Sequence, residues 1–413
     1  MINKKKYNIQ MDKSVFANKP FLFILITAFL SVMGIGLIIP VIPFIVGKYT
    51  SADHVAWYVG LLVSSYSFCQ FFAAPVLGAL SDKLGRRPIL LWCLFGSAIG
   101  YILFGIGGSL WILFLSRIID GITGGDVSTA LSYVADVTLP QDRGKYFGVI
   151  GATIGLGFML GPSLGGLVSH ISLSAPVYLA AGLTLVNMLY GYFVLPESLR
   201  REHRMSDFSL HHLNPFTQLQ YILRNNTLKI LIFIGFFYFF PFAQLQAITS
   251  VFYKDTLNWT PENLGFYFLI IGAGDMFVQG YLTSKLLPKF GPIKLLFAGF
   301  LITLCAYSIN AFIPVFPFAV LAYIYMIIYA LGSGLFEPSF GGLISSAAGP
   351  KEQGRVQGAS QSMQSITRIL GPIFAAFLYQ FNHSFPWITC VVFSIIGGIL
   401  LLHYRKKIVS HLH

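Results

Sequence analysis

The chain has 413 residues, 55% of them hydrophobic and only 10% charged, with 27 basic against 15 acidic side chains. Soluble domains carry about 25% charged residues, so this composition excludes a protein with an ordinary wetted surface. The net charge of +12 sits at the ends of long apolar runs rather than on one face, which excludes a nucleic-acid footprint and fits basic residues held on one side of a bilayer.

The chain opens with a polar tail, residues 1–20. A signal peptide would begin its apolar stretch sooner and end at a small-residue cleavage site, so the run from Phe21 to Gly47 reads as a retained helix. Each membrane-spanning helix needs about 20 apolar residues. Such helices are expected near 21–47, 57–80, 88–107, 109–134, 144–168 and 175–195. A polar linker, 197–226, separates them from six more near 227–252, 262–286, 292–313, 316–346, 354–380 and 384–403, with a short tail at 405–413. The expected fold is all-α and integral to the membrane: twelve transmembrane helices in two pseudo-symmetric six-helix bundles, 21–196 and 227–404.

The first helix contains Gly34-Ile-Gly36-Leu-Ile-Ile-Pro40-Val-Ile-Pro43. The loop after the second reads Gly78-Ala-Leu-Ser-Asp82-Lys83-Leu-Gly85-Arg86-Arg87-Pro88. There Gly78 allows close helix packing, Gly85 permits a tight turn, Asp82 can face a helix amino terminus, and Arg86 can pair with Asp136 at the end of the fourth helix. The fourth helix carries Arg117, Asp120, Gly121, Gly124 and Asp126. The fifth is punctuated by Gly151, Gly155, Gly157, Gly161, Pro162, Gly165 and Gly166, a pattern that permits close approach and bending of helices. Leu195-Pro196-Glu197 follows the sixth. The seventh holds Phe236, Phe237, Tyr238, Phe239 and Phe240 with Gln244 and Gln246, a candidate lining for an apolar, ring-bearing ligand. Cys69, Cys93, Cys305 and Cys390 lie within helices without metal spacing and read as small apolar fillers.

Counting Lys and Arg over alternate connections puts 23 on the side of the amino terminus and two, Lys48 and Lys254, on the other. Both termini and the linker are therefore expected in the cytoplasm. The halves also echo each other. Gly144, Lys145, Gly148, Gly161 and Pro162 recur 210 residues later as Gly354, Arg355, Gly358, Gly371 and Pro372; Lys83 and Gly85 recur 206 residues later as Lys289 and Gly291, although Pro288 stands where Asp82 would be. Such internal symmetry is typical of secondary transporters.

Six ionisable residues fall deep in expected helices: Arg117, Asp120, Asp126, Asp275, Glu337 and Arg368. A charge at that depth costs several kcal/mol and needs a partner or a wet cavity. Arg117 and Asp120, three apart on one face, form a structural pair on one reading. Four acids against two bases leave two acids over, and a desolvated acid can hold a proton near neutral pH. Asp126 and Asp275 are the preferred proton-coupling candidates, with Asp120 and Glu337 behind them; Arg368 is a candidate counter-charge to Asp275.

The loop from Gly78 to Pro88 resembles the signature loop of the major facilitator superfamily, and the fifth-helix glycine run resembles the antiporter motif of its drug/proton antiporters. With the first-helix, fourth-helix and Leu195–Glu197 motifs, the chain resembles the tetracycline/proton antiporters along most of its length. That resemblance implies efflux through a central cavity driven by proton entry. Those antiporters carry acids where this chain has Ser31, Gly100 and Thr303, and a histidine where it has Asp275, so their coupling residues do not transfer as a set.

The functional expectation is a multi-pass secondary transporter of the cell (inner) membrane, not an enzyme. It is read as a proton-coupled efflux antiporter for drugs or amphipathic small molecules. A proton symporter importing a nutrient or organic ion is the alternative, against which the fifth-helix glycines argue; a membrane sensor would be expected to carry an added soluble domain. The expected partners are a small-molecule substrate, protons and the lipid bilayer, with no cofactor, metal or nucleic acid, for a chain acting as a monomer.

Overall fold

The computed structural model describes residues 19–138, 142–199, 202, 204, 226–347 and 353–410. Most of the expected linker (197–226), nearly all of the amino-terminal tail (1–20) and the last three residues of the carboxy-terminal one lie outside them. Among the described residues every regular element is helical: α1 Lys19–Ile38, α2 Ile42–Val46, α3 Val55–Leu84, α4 Arg86–Ile106, α5 Leu110–Ile122, α6 Asp126–Val137, α7 Arg143–Val168 and α8 Ala175–Val194 in the first part. The second part holds α9 Asn226–Leu257, α10 Pro261–Phe277, α11 Ser284–Phe290, α12 Pro292–Phe312, α13 Ala319–Ser346, α14 Gln353–Phe381 and α15 Phe385–Ser410.

Ten helical segments among the described residues are long and apolar enough to cross a membrane. The outward side chains suit lipid: Trp111 is 83% exposed, Ile171 82% and Phe193 80%, values that would be costly in water. Two of the twelve expected spans are not among the ten. The fourth, expected as one helix over 109–134, is divided between α5 and α6 by the turn Thr123–Gly125. The eleventh, α14, is rich in Gln, Ser and Thr along its first half. The first expected helix, 21–47, is also broken: Pro40 and Pro43 each lack a backbone donor, and α1 gives way to α2 at residues 39–41.

By packing, the chain divides into two compact units. One comprises Met1–Ile39 with Cys69–Asn214, the other Pro40–Phe68 with Pro215–His413. In the first, α1 and α7 lie backbone to backbone. A Cβ on Gly161 would stand 2.7 Å from the Met33 carbonyl oxygen, and one on Gly36 would stand 2.8 Å from Pro162 Cδ. Phe21, Phe23, Ile24, Tyr133, Val134 and Ile150 fill the core around them. In the second unit Tyr238 stacks on Phe336 with ring centroids 3.7 Å apart, within a core that includes Phe239, Phe300 and Phe340. The aromatic run of α9 is therefore largely packing. The start of α3 belongs to this unit, where Ser64 Oγ donates to the Ile369 carbonyl at 2.7 Å.

Candidate functional site

The turn between α3 and α4 is held by charge. Gly85 has φ +112°, a conformation that glycine adopts without strain. Arg86, buried, pairs through Nη1 with Asp82 at 2.6 Å and through Nε with Asp136 at 3.0 Å, and Nη1 also donates to Ser81 at 2.7 Å. Glu197 completes the cluster. Its Oε1 accepts from the Arg86 backbone N–H at 2.8 Å and its Oε2 from that of Arg87 at 3.2 Å. These are the unpaired donors at the start of α4, where the helix dipole favours a negative charge. Ser198 Oγ donates to Asp136 at 3.1 Å. Gly78, expected to serve close packing, has open space where a Cβ would stand, so it leaves its helix face clear instead of tightening a contact.

The glycines of α7 fall into two sets. Gly157, Gly161 and Gly165, one turn apart, press on the backbone of α1, and Pro162 and Gly166 are buried beside them. Gly151 and Gly155 meet nothing within 4 Å. The motif thus joins a packing stripe to an open face.

In the first unit Arg117 Nη1 pairs with Asp120 Oδ2 at 3.2 Å. The guanidinium lies 4.8 Å from the Phe104 ring centroid and 5.7 Å from that of Tyr101, while its Nε and Nη2 make no hydrogen bond. Asp126 opens α6 directly after the helix break, and Ser31 lies beside its carboxylate. Among the described residues Asp126 is in no ion pair. The break frees the Gly124 carbonyl, which accepts from Gln70 Nε2 at 3.0 Å. Irregular backbone at this depth is tolerated where it is buried in protein or lines a cavity.

In the second unit Asp275 is in no ion pair among the described residues. Its Oδ1 accepts from Ser333 Oγ at 2.8 Å and its Oδ2 from Gln279 Nε2 at 3.1 Å. Glu337 lies beside Gln279, its charge within reach of Asp275. Three residues after Asp275 the helix widens into a π segment, Val278–Thr283; such segments occur frequently at functional sites. Tyr238 Oη is buried, without a hydrogen bond, and near Glu337. Arg368 is not brought to Asp275, and among the described residues it makes no ion pair.

Sequence reasoning had the acids but not the groups that position them. Ser333 and Gln279 carried a signal: Asp275–Gln279 and Ser333–Glu337 are both i, i+4 pairs, each on one helix face. Glu197 stood in a motif without a stated role.

A family profile described as Major Facilitator Superfamily matches residues 24–372. The class C tetracycline resistance protein of Escherichia coli is 34% identical over 369 residues, covering 89% of this chain and 91% of that protein. The class D protein of Salmonella ordonez is 33% identical over 390 residues, covering 93% and 96%. Among solved structures, a bacterial homolog of the human lysosomal transporter Spinster superposes with a TM-score of 0.76 at 16% identity, covering 97% of this chain and 99% of that one; at that identity the likeness concerns the fold.

Proposed function

The chain belongs to the major facilitator superfamily, a multi-pass membrane transporter rather than an enzyme, and from that premise we propose that it is a proton-coupled efflux antiporter for drugs or amphipathic small molecules. One observation carries the reading: Asp275, which accepts from Gln279, and Glu337 lie close together inside a helix bundle, with no cation paired to either among the described residues. Two uncompensated carboxylates at membrane depth are costly when both are ionised, and protonation relieves that cost, which is the requirement for a proton carrier. Asp126, unpaired beside Ser31, is the corresponding acid of the first half. Asp120 is already engaged by Arg117.

The relatives named for tetracycline resistance support an exporting direction. In this reading the halves 21–196 and 227–404 alternate access as a monomer in the cell inner membrane, both termini cytoplasmic, following the 23-to-2 distribution of basic residues. The test is transport by the purified chain in proteoliposomes under an imposed proton gradient, over a panel of tetracycline, ethidium and other amphipathic compounds. Substrate moving against the proton flow is expected; movement in the same direction would establish symport instead. Asp275→Asn is expected to abolish gradient-driven movement and retain substrate exchange without a gradient. Full driven activity in Asp275→Asn would remove this residue from the coupling.

A further inference from the structure

In the second unit α10 and α13 meet in a constant register of 58 residues. Asp275 bonds Ser333 at that offset. One turn further along, Gln279 stands opposite Glu337. Two turns the other way, Tyr267 faces Tyr325 at the same offset, their rings parallel with centroids 6.3 Å apart. On α13 alone, Tyr325, Tyr329, Ser333 and Glu337 recur every fourth residue, so that one stripe of the helix carries an oxygen at each turn. Neighbouring helices extend the series. Tyr329 packs against Tyr307 of α12 with ring centroids 6.0 Å apart. Tyr267 also packs against Tyr253 of α9 with ring centroids 4.9 Å apart, and Tyr253 Oη exchanges hydrogen bonds with Asn310 at 2.9 and 3.1 Å.

These five tyrosines are almost completely buried, none more than 5% exposed. Tyr253 stacks on Trp259 with centroids 4.6 Å apart. Trp259 in turn lines an open cleft of about 440 Å³ with Lys254, Asp255, Asn258 and Thr260. The series thus runs from Tyr253, whose ring stacks on a residue of the cleft at the α9–α10 turn, to the carboxylates of Asp275 and Glu337.

Packing alone does not account for them. The chain uses 39 phenylalanines, and phenylalanine would fill the same space without a hydroxyl whose desolvation, if left unpaired, costs about 1–3 kcal/mol. A phenol both donates and accepts, which is what distinguishes it from an apolar ring here.

We propose that Tyr253, Tyr267, Tyr325, Tyr329 and Ser333 form a proton relay from the cleft beside Trp259 to Asp275 and Glu337. At each link an oxygen accepts a proton from the cleft side and releases its own to the next oxygen. One proton leaves water, one arrives on the Asp275 carboxylate, and nothing is oxidised or reduced. The hydroxyls then rotate to reset the chain. Tyr325 and Tyr329 are one helical turn apart with rings 5.4 Å between centroids. At that step, and at the next turn to Ser333, the relay passes through a bridging water. Ser333 makes the last transfer, into Asp275 Oδ1.

The relay rests on the reading of Asp275 and Glu337 as proton-binding groups, and the experiment separates the two. Proteoliposomes of the full chain, with a pH dye inside, report proton flux with the panel compound that gives the unaltered protein its largest flux; counterflow exchange without a gradient reports folding and substrate binding. Tyr267→Phe and Tyr325→Phe are expected to lose about ten-fold or more in flux, equivalent to about 1.4 kcal/mol in the barrier, while exchange stays near that of the unaltered chain. If Tyr253→Phe folds poorly because Asn310 is left unpaired, Tyr253→Phe/Asn310→Leu restores an apolar contact and is expected to show the same selective loss. Normal flux in these variants, with Asp275→Asn defective, overturns the relay and leaves the antiporter reading intact. Equal loss of flux and exchange at normal abundance also overturns it, since that is a structural defect. No compound driving flux through the unaltered chain, or full flux in both Asp275→Asn and Glu337→Gln, overturns the antiporter reading and the relay with it.

Discussion

Glu197 shows how one carboxylate ties three stretches of chain together. It caps the start of α4, faces Arg204 at 3.9 Å and accepts from the Leu199 N–H at 3.0 Å. Removing a capping carboxylate costs about 0.5–2 kcal/mol. Glu197→Ala is therefore expected to lower the apparent unfolding temperature in detergent, and Asp136→Asn to do so through Arg86. A thermal shift assay on the purified variants checks both; an unchanged melting point in Glu197→Ala would mean the cap is replaced by water at no cost. The pairing of Arg86 with an acid at the end of the fourth helix was legible from charge and spacing. The cap was not, because nothing local links residue 197 to residue 86. The acids themselves show a related limit. Ser31 and Gly100 are positions at which the tetracycline antiporters carry acids, and here Asp126 lies beside Ser31 while the Asp120 Cβ sits 2.9 Å from where a Cβ on Gly100 would be. Two acids of the fourth span thus stand beside residues of the first and third helices, a neighbourhood that only a folded chain reveals.

At the scale of the element, the two glycine sets of α7 make different predictions. A side chain at Gly161 would collide with the backbone of α1, and overpacking of that kind costs about 1–3 kcal/mol per site. Gly161→Val and Gly157→Val are expected to reduce the folded yield, whereas Gly151→Ala and Gly155→Ala insert and fold normally. Should the second pair fold normally yet transport poorly, the open face of α7 serves movement rather than assembly. Fluorescence-detected size exclusion for fold and vesicle transport for activity distinguish the sets. The sequence marked these glycines but not their division, since a helix alone does not say which face meets a neighbour. Likewise Gly124-Gly125 read as the interior of a continuous helix. Glycine is tolerated in membrane helices, and only the carbonyl freed toward Gln70 reveals the break.

For the whole molecule, hydropathy made the all-α membrane fold legible, because in lipid the backbone must satisfy its own hydrogen bonds and the helix is the simplest way to do so. The orientation rests on Lys and Arg counts and is open to direct test. In a chain whose four native cysteines are replaced, a cysteine at Lys48 is expected to react with a membrane-impermeant maleimide added to intact cells. One at Lys289 is expected to stay unlabelled until the cells are opened; labelling of Lys289→Cys from outside would invert the topology. Both residues are exposed.

The divided fourth span also bears on how the chain enters its membrane. At about 1.5 Å per residue, α5 with 13 residues and α6 with 12 are each near 20 Å long, short of a hydrocarbon core about 30 Å thick. Neither half, carrying Arg117, Asp120 and Asp126 between them, has the apolar length that lets a nascent segment partition into lipid by itself. The fourth span must therefore leave the insertion machinery in company, sheltered by the preceding α4, against which Asp120 and Thr123 pack through Gly100 and Gly96. Biogenesis of this half is then a cooperative event, in which the polar residues enter the bilayer only as fast as α4 is there to cover them.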